Sequence, residues 1–112
     1  MGGLVRLPVE GRDLLVFSNL DTPKAPRERV TLWLSADGGQ SWPIKRLVYD
    51  GPSGYSSLNA GRSGTASEGW MYLFFEGGPG GGGQMVRVNL TWLLQGVSNE
   101  DGQLPDWLTS RL

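Results

Sequence analysis

The 112-residue chain contains no cysteine and no histidine. Without cysteine there is neither a disulfide nor a thiolate nucleophile, and the redox compartment is left unmarked. Without histidine, Ser-His catalysis and the commonest metal ligand are excluded, so no metal site and no cofactor is expected. An excess of charge is also lacking. Ten Lys and Arg against eleven Asp and Glu leave a formal net charge of −1 and a pI near 5.3. That balance gives no basic footprint for nucleic acid and no polybasic segment for a membrane surface, so neither partner is expected. No stretch approaches the ~20 apolar residues of a membrane span. The opening MGGLVRLPVEG lacks the apolar core of a signal peptide, which makes cytoplasmic production the default expectation. What is abundant is glycine. Eighteen Gly is more than twice the average usage of about 7%, and seven Pro add further breaks, so short strands joined by many turns are favoured over long helices. The fold class expected is all-β.

Strand-like segments recur along the chain. GLVRLPV (3–9), with Leu4 and Leu7 toward the core, and DLLVFSN (13–19) form a hairpin over a short Glu-Gly-Arg turn. After a polar, proline-containing loop, VTLWLSA (30–36) is rich in β-branched and aromatic residues. PIKRLVYD (43–50) and YSSLNA (55–60) read as two strands separated by a tight Gly51-Pro52-Ser53-Gly54 turn. WMYLFFEG (70–77) is a near-continuous apolar run suited to burial on both faces. GGPGGGG (77–83) is a loop tip, QMVRVNL (84–90) closes the hairpin, and LTWLLQG (90–96) forms one helical turn. These segments predict about two four-stranded antiparallel blades within residues 1–97, with Trp33, Trp42, Leu73 and Phe74 packed. Residues 98–112 are a polar tail anchored by Trp107 and Leu108.

SADGGQSW (35–42) fits Ser-x-Asp-x-Gly-x-Ser/Thr-Trp, the Asp-box of β-propeller hairpins. Asp37 accepts hydrogen bonds from the turn's own backbone, Gly39 supplies a positive φ, and Trp42 returns to pack under the turn, with Ser35 opening the motif. Such a turn holds a hairpin together and argues architecture rather than activity.

With GGLVRLPVEGRDLLVFSNL, RERVTLWLSADGGQSW, GPSGYSSL, MYLFFEGG and VRVNLTWLLQG in this order, residues 3 to about 96 resemble the C-terminal part of exo-α-sialidases. The resemblance implies a six-bladed propeller that cleaves terminal sialic acid with a tyrosine nucleophile, an exception to the usual carboxylate pair. In GPSGYSSL, Tyr55 matches that nucleophile. A phenol ordinarily ionises near ~10, so it needs a neighbouring carboxylate as base. Arg27 lies where the family carries an arginine that grips the sugar carboxylate, a bidentate contact that Lys cannot copy, and Arg29 is the fallback. Glu76 in FFEGG matches the glutamate that orients another arginine of that triad.

The sequence departs from the family in what else it offers. There is no candidate for the acid/base aspartate, for the glutamate that activates Tyr55, or for two further arginines. Glu10 and Asp13 flank a turn, Glu28 lies between two arginines, Glu68 is in a glycine-rich loop, and Leu20 replaces the proline of the usual FSNP. Three readings follow: a piece of a sialidase that acts on sialylated glycans but does not turn over alone, a non-enzymatic propeller-like assembly or glycan-binding module, and a structural remnant. Exposed blade faces and strand edges also predict a homo-oligomer, or association with the remainder of a propeller.

Overall fold

The computed structural model describes residues 2–9, 12–22, 28–77, 82–98, 104, 105 and 108, with Arg12 and Asp13 described in their main chain only. Seven strands and one short helix follow in order: β1 (Gly3–Val9), β2 (Arg12–Leu20), β3 (Glu28–Ser35), β4 (Ile44–Ala60), β5 (Trp70–Gly77), β6 (Gly83–Asn89), α1 (Leu90–Leu94) and β7 (Val97–Ser98). Strands β1 to β6 pair antiparallel with their chain neighbours, and β7 pairs with the start of β4. The chain is all-β, as expected, with its antiparallel sheet curled into a half-barrel.

The curl comes from β4, which is 17 residues long and belongs to two sheets. Its first half pairs with β3, from Ile44 opposite Leu34 to Pro52 opposite Glu28. Its second half pairs with β5, from Ser53 opposite Gly77 to Ala60 opposite Met71. The expected turn at 51–54 is therefore corrected: the chain runs extended through Gly51-Pro52-Ser53-Gly54, with a register shift between Ser53 and Ser56. None of these residues has a positive φ. The second sheet comprises the later half of β4 with β5 and β6.

The two sheets face each other across one core. From β1, β2 and β3 come Leu7, Val9, Leu14, Val16, Val30, Leu32 and Leu34; from the other side come Leu58, Met71, Leu73 and Phe75. Leu90, Leu93 and Leu94 of α1 close one end, together with Leu108. Asn89 starts α1 by accepting the Trp92 N–H at 2.9 Å on its side-chain oxygen, which satisfies one orphan donor of the first turn. Arg46 of β4 ties the helix down, stacking 4.0 Å from the Trp92 ring and donating to the Trp92 carbonyl.

Three burial expectations are corrected. In β1 it is Leu7 and Val9 that are buried, while Leu4 is 59% exposed, because residues three apart on a strand lie on opposite faces. Strand β5 is buried on one face only. Met71, Leu73 and Phe75 point inward, whereas Phe74 is 42% exposed. Trp33 and Trp42 are half-buried on the outer side of the first sheet. The Trp33 indole N–H donates to Asn19 at 2.7 Å, and Trp42 meets Phe17 with ring centroids 6.1 Å apart.

Candidate functional site

The β5 and β6 registers place side chains in rows on the outward face of the second sheet. Glu76 lies opposite Gly83, Phe74 opposite Met85, Tyr72 opposite Arg87 and Trp70 opposite Asn89. Strand β4 extends these rows, with Ser57 opposite Phe74 and Asn59 opposite Tyr72. Tyr55, within the register shift of β4 and two residues before Ser57, is half exposed and donates its backbone N–H to Glu76.

Tyr55 sits at the register shift of β4, which is held from both sides. From β5, Glu76 accepts the Tyr55 backbone N–H on Oε1 at 3.2 Å. Gly54 makes room for this carboxylate, since a Cβ there would lie 2.8 Å from the same oxygen. From β2, the buried Ser18 hydroxyl lies 2.8 Å from the hydroxyl of Ser56 and also accepts the Gly3 N–H at 2.9 Å. The tyrosine is thus carried on a backbone segment fixed by a carboxylate on one face and a serine pair on the other. Glu76 thus reaches the main chain of Tyr55. Neither Ser18 nor Ser56 was singled out from sequence: each lies within a quoted motif, FSNL and GPSGYSSL, but the two are 38 residues apart and nothing local pairs them.

Arg29 lies at the same end of the sheet, next to Glu28, which pairs with Pro52 three residues before Tyr55. It has φ 71°, and its carbonyl accepts both the Asp21 N–H at 2.9 Å and the Thr31 hydroxyl at 2.8 Å. The guanidinium donates to Asp50 at 3.1 Å. With Asp21, Thr31, Lys45, Leu47 and Val97 it lines a notch of about 70 Å³ in which Lys45 pairs with Asp21 at 2.9 Å. A ligand carboxylate approaching Arg29 would compete with Asp50. Arg27, the first choice for that role, lies outside the described residues, as do Glu10 and Trp107.

The 35–42 turn is built around one carboxylate. Asp37 accepts the Ser41 hydroxyl at 2.5 Å, the Ser41 N–H at 2.9 Å and the Ser35 hydroxyl at 2.8 Å. Ser35 in turn accepts the Gly39 N–H at 2.9 Å. These bonds, led by the Ser41 hydroxyl, favour the charged form and hold the Asp37 carboxyl at about 2, against an ordinary 3.8. Gly38 and Gly39 have φ of 75° and 92°, so the tight turn is reached at residues that carry no Cβ. Among the described residues, no cluster of three or more Asp or Glu is placed to hold a metal ion.

Comparison with known proteins gives the same direction from sequence and from fold. A sialidase of Micromonospora viridifaciens is 35% identical over 80 residues, which is 71% of this chain and 11% of that protein. The solved Hadza microbial sialidase Hz136 superposes with a TM-score of 0.66 at 28% identity, over 83% of this chain and 18% of its own. No family model matches the chain. The chain therefore spans about a tenth of the curated relative and under a fifth of the solved one.

Proposed function

We propose that this chain, a sialidase homologue with part of the sialidase β-propeller fold, carries the tyrosine-bearing portion of a sialic-acid site. In this reading Tyr55 stands at the nucleophile position and Glu76 holds its backbone. Arg27 offers the guanidinium for the sugar carboxylate, with Arg29 as the alternative. The observation that carries the proposal is the mounting of Tyr55. The ring is half exposed on an open sheet face, while the backbone beneath it is fixed by Glu76 and, through Ser56, by the buried Ser18.

A neutral phenol suits this substrate class. The reacting carbon of sialic acid bears a carboxylate, which repels an anionic nucleophile. Attack by the phenol oxygen still requires a base to accept its proton and an acid to protonate the leaving oxygen. Among the residues of this chain, Glu76 is committed to the Tyr55 amide, and no second carboxylate matches the family's acid/base position. The 112-residue polypeptide by itself binds sialic acid weakly and does not turn over sialosides.

The test is an NMR titration of the purified chain with sialic acid, alongside a fluorogenic sialoside assay. One guanidinium–carboxylate contact supports about millimolar affinity. Signals of Tyr55 and of residues 27–29 are expected to shift at that concentration, and Arg27→Ala is expected to abolish the shifts. An unchanged spectrum refutes the binding site. Release of fluorophore that is lost in Tyr55→Phe refutes the inactivity of the isolated chain.

A further inference from the structure

We infer that Ser18 is a positioning residue for Tyr55: its hydroxyl accepts the Gly3 N–H and donates to Ser56, so that the start of β1 is tied across the core to the residue next to the tyrosine. The need for such a tie lies in the backbone ladders. The β3–β4 pairing ends at Pro52, and the β4–β5 pairing is broken between Ser53 and Ser56. Gly54 and Tyr55 therefore fall in a gap that neither register spans. Side chains take over at this gap. Glu76 accepts the Tyr55 N–H, and Ser18 meets Ser56, the first residue back in register, opposite Phe75.

Ser18 stands in a row where a hydroxyl has to find partners. Leu14, Val16 and Ser18 alternate inward on β2, and all three are buried. An unbonded hydroxyl in such a place costs free energy that an alanine does not. Counting donors and acceptors then fixes which way the bond to Ser56 runs. A hydroxyl has one proton and two lone pairs. Among the described residues the Ser18 side chain has two hydrogen-bond partners, the Gly3 N–H at 2.9 Å and the Ser56 hydroxyl at 2.8 Å. The Gly3 N–H uses a lone pair, so the acceptor for the Ser18 proton is Ser56. With Ser56 as donor instead, a buried proton is left without a partner. The two glycines that open the chain's first strand allow the close approach. Gly3 is opposite Ser18 in the β1–β2 register. A Cβ on it would lie 3.0 Å from both the backbone nitrogen and the Cβ of Leu58, and a Cβ on Gly2 would strike the Ser18 carbonyl oxygen. The bonds from Gly3 to Ser18 to Ser56 thus pass from the first sheet to the second beside the stretch of β4 that lacks ladder pairing. The part this tie plays in a sialic-acid site rests on the proposed function; the tie itself does not.

NMR of the full chain tests the tie without any sialoside, so its failure is distinct from failure of the proposed function. In Ser18→Ala the Tyr55 ring signals are expected to shift, and the Tyr55 amide is expected to exchange about fivefold faster. Ser56→Ala, at a half-buried site, is expected to raise the exchange rate by the same factor, and it decides the matter if Ser18→Ala does not fold. Both variants remove one and the same bond, so the double variant is expected to exchange no faster than either single one. Val16→Ala, two residues earlier in the same buried row, lowers stability without touching the tie and is expected to leave the Tyr55 ring signals in place. Unmoved ring signals with an unchanged exchange rate in Ser18→Ala, an unchanged rate in Ser56→Ala, rates that multiply in the double variant, or an equal displacement of the ring signals in Val16→Ala each overturn the positioning role.

Discussion

Gly54→Ala combined with Glu76→Ala measures whether the carboxylate of Glu76 holds the Tyr55 segment in place. A Cβ on residue 54 would lie 2.8 Å from Oε1 of Glu76 but 3.5 Å from its Cβ and 3.8 Å from its Cδ. The obstructing atom is the free end of a flexible side chain, so the carboxylate swings aside and the bond to the Tyr55 N–H is lost. A hydrogen bond to a charged group contributes about 1.5–3 kcal/mol in general; at this exposed position about 1 kcal/mol is the working figure. Against it stands a gain. Gly54 has no positive φ, so alanine fits the backbone and, by restricting the unfolded chain, stabilises by roughly 0.4–1 kcal/mol. The two effects nearly cancel in the native background, leaving a net loss of a few tenths to about 0.5 kcal/mol. In the Glu76→Ala background there is no bond left to break, and Gly54→Ala should stabilise by roughly 0.5 kcal/mol. The coupling between the sites is therefore about 1 kcal/mol, read from urea midpoints of the four proteins. Native-state hydrogen exchange gives a local check: the Tyr55 amide should exchange about fivefold faster in either single variant. If Gly54→Ala costs the same with and without the Glu76 carboxylate, the clasp is not what holds Tyr55.

Three further outcomes are expected. The Asp37 carboxyl, held at about 2 against 3.8, is depressed in the folded chain, so its stabilisation is complete above about pH 4 and disappears as pH falls toward 2; the difference in urea midpoint between the native chain and Asp37→Asn should narrow over that interval. Leu32→Ala, at a fully buried site between the sheets, should destabilise by about 3 kcal/mol in urea denaturation, and a loss under 1 kcal/mol would contradict its place in the core. Arg29 adopts φ 71° while its ion pair with Asp50 is solvent-exposed, so Arg29→Gly, which relieves the left-handed backbone, should be more stable than Arg29→Ala by about 1 kcal/mol in thermal unfolding.

The strands rich in β-branched and aromatic residues were legible because local pattern and burial agree there: Val30, Leu32 and Leu34 alternate inward on β3, and the glycine-rich 35–42 turn has the φ values its residues suggest. The pattern misled where glycine and proline serve packing rather than bending. Gly51 is small because the Tyr49 ring lies over it, with a Cβ there falling 2.4 Å from the Tyr49 oxygen, and Gly54 is small because Glu76 lies over it. Neither residue turns the chain. The apolar run of β5 misled for a different reason. Its inward residues Met71, Leu73 and Phe75 are indistinguishable in hydrophobicity from the outward Phe74, and only the position of the opposing sheet tells the faces apart. Of the candidate site, Tyr55 and Glu76 were named through the resemblance of GPSGYSSL and FFEGG to sialidase segments. The contact between them, and the Ser18–Ser56 pair, arise from strand register, which no local segment encodes.

Strand β4 ends one sheet and begins the other, and this governs how the molecule comes apart. Two sheets joined by a loop can melt one at a time, because the loop transmits no order between them. Here the same backbone supplies hydrogen bonds to β3 in its first half and to β5 in its second, and Tyr55 stands just past the changeover. Fraying of β5 and β6 from the β6 side removes the ladder that keeps the later half of β4 extended, and with it the segment bearing the tyrosine. Loss of β1 and β2 strips the core side chains on which that half rests. The tyrosine's placement is thus a property of the whole cooperative unit, and changes far from it, in either sheet, reach it through one continuous strand.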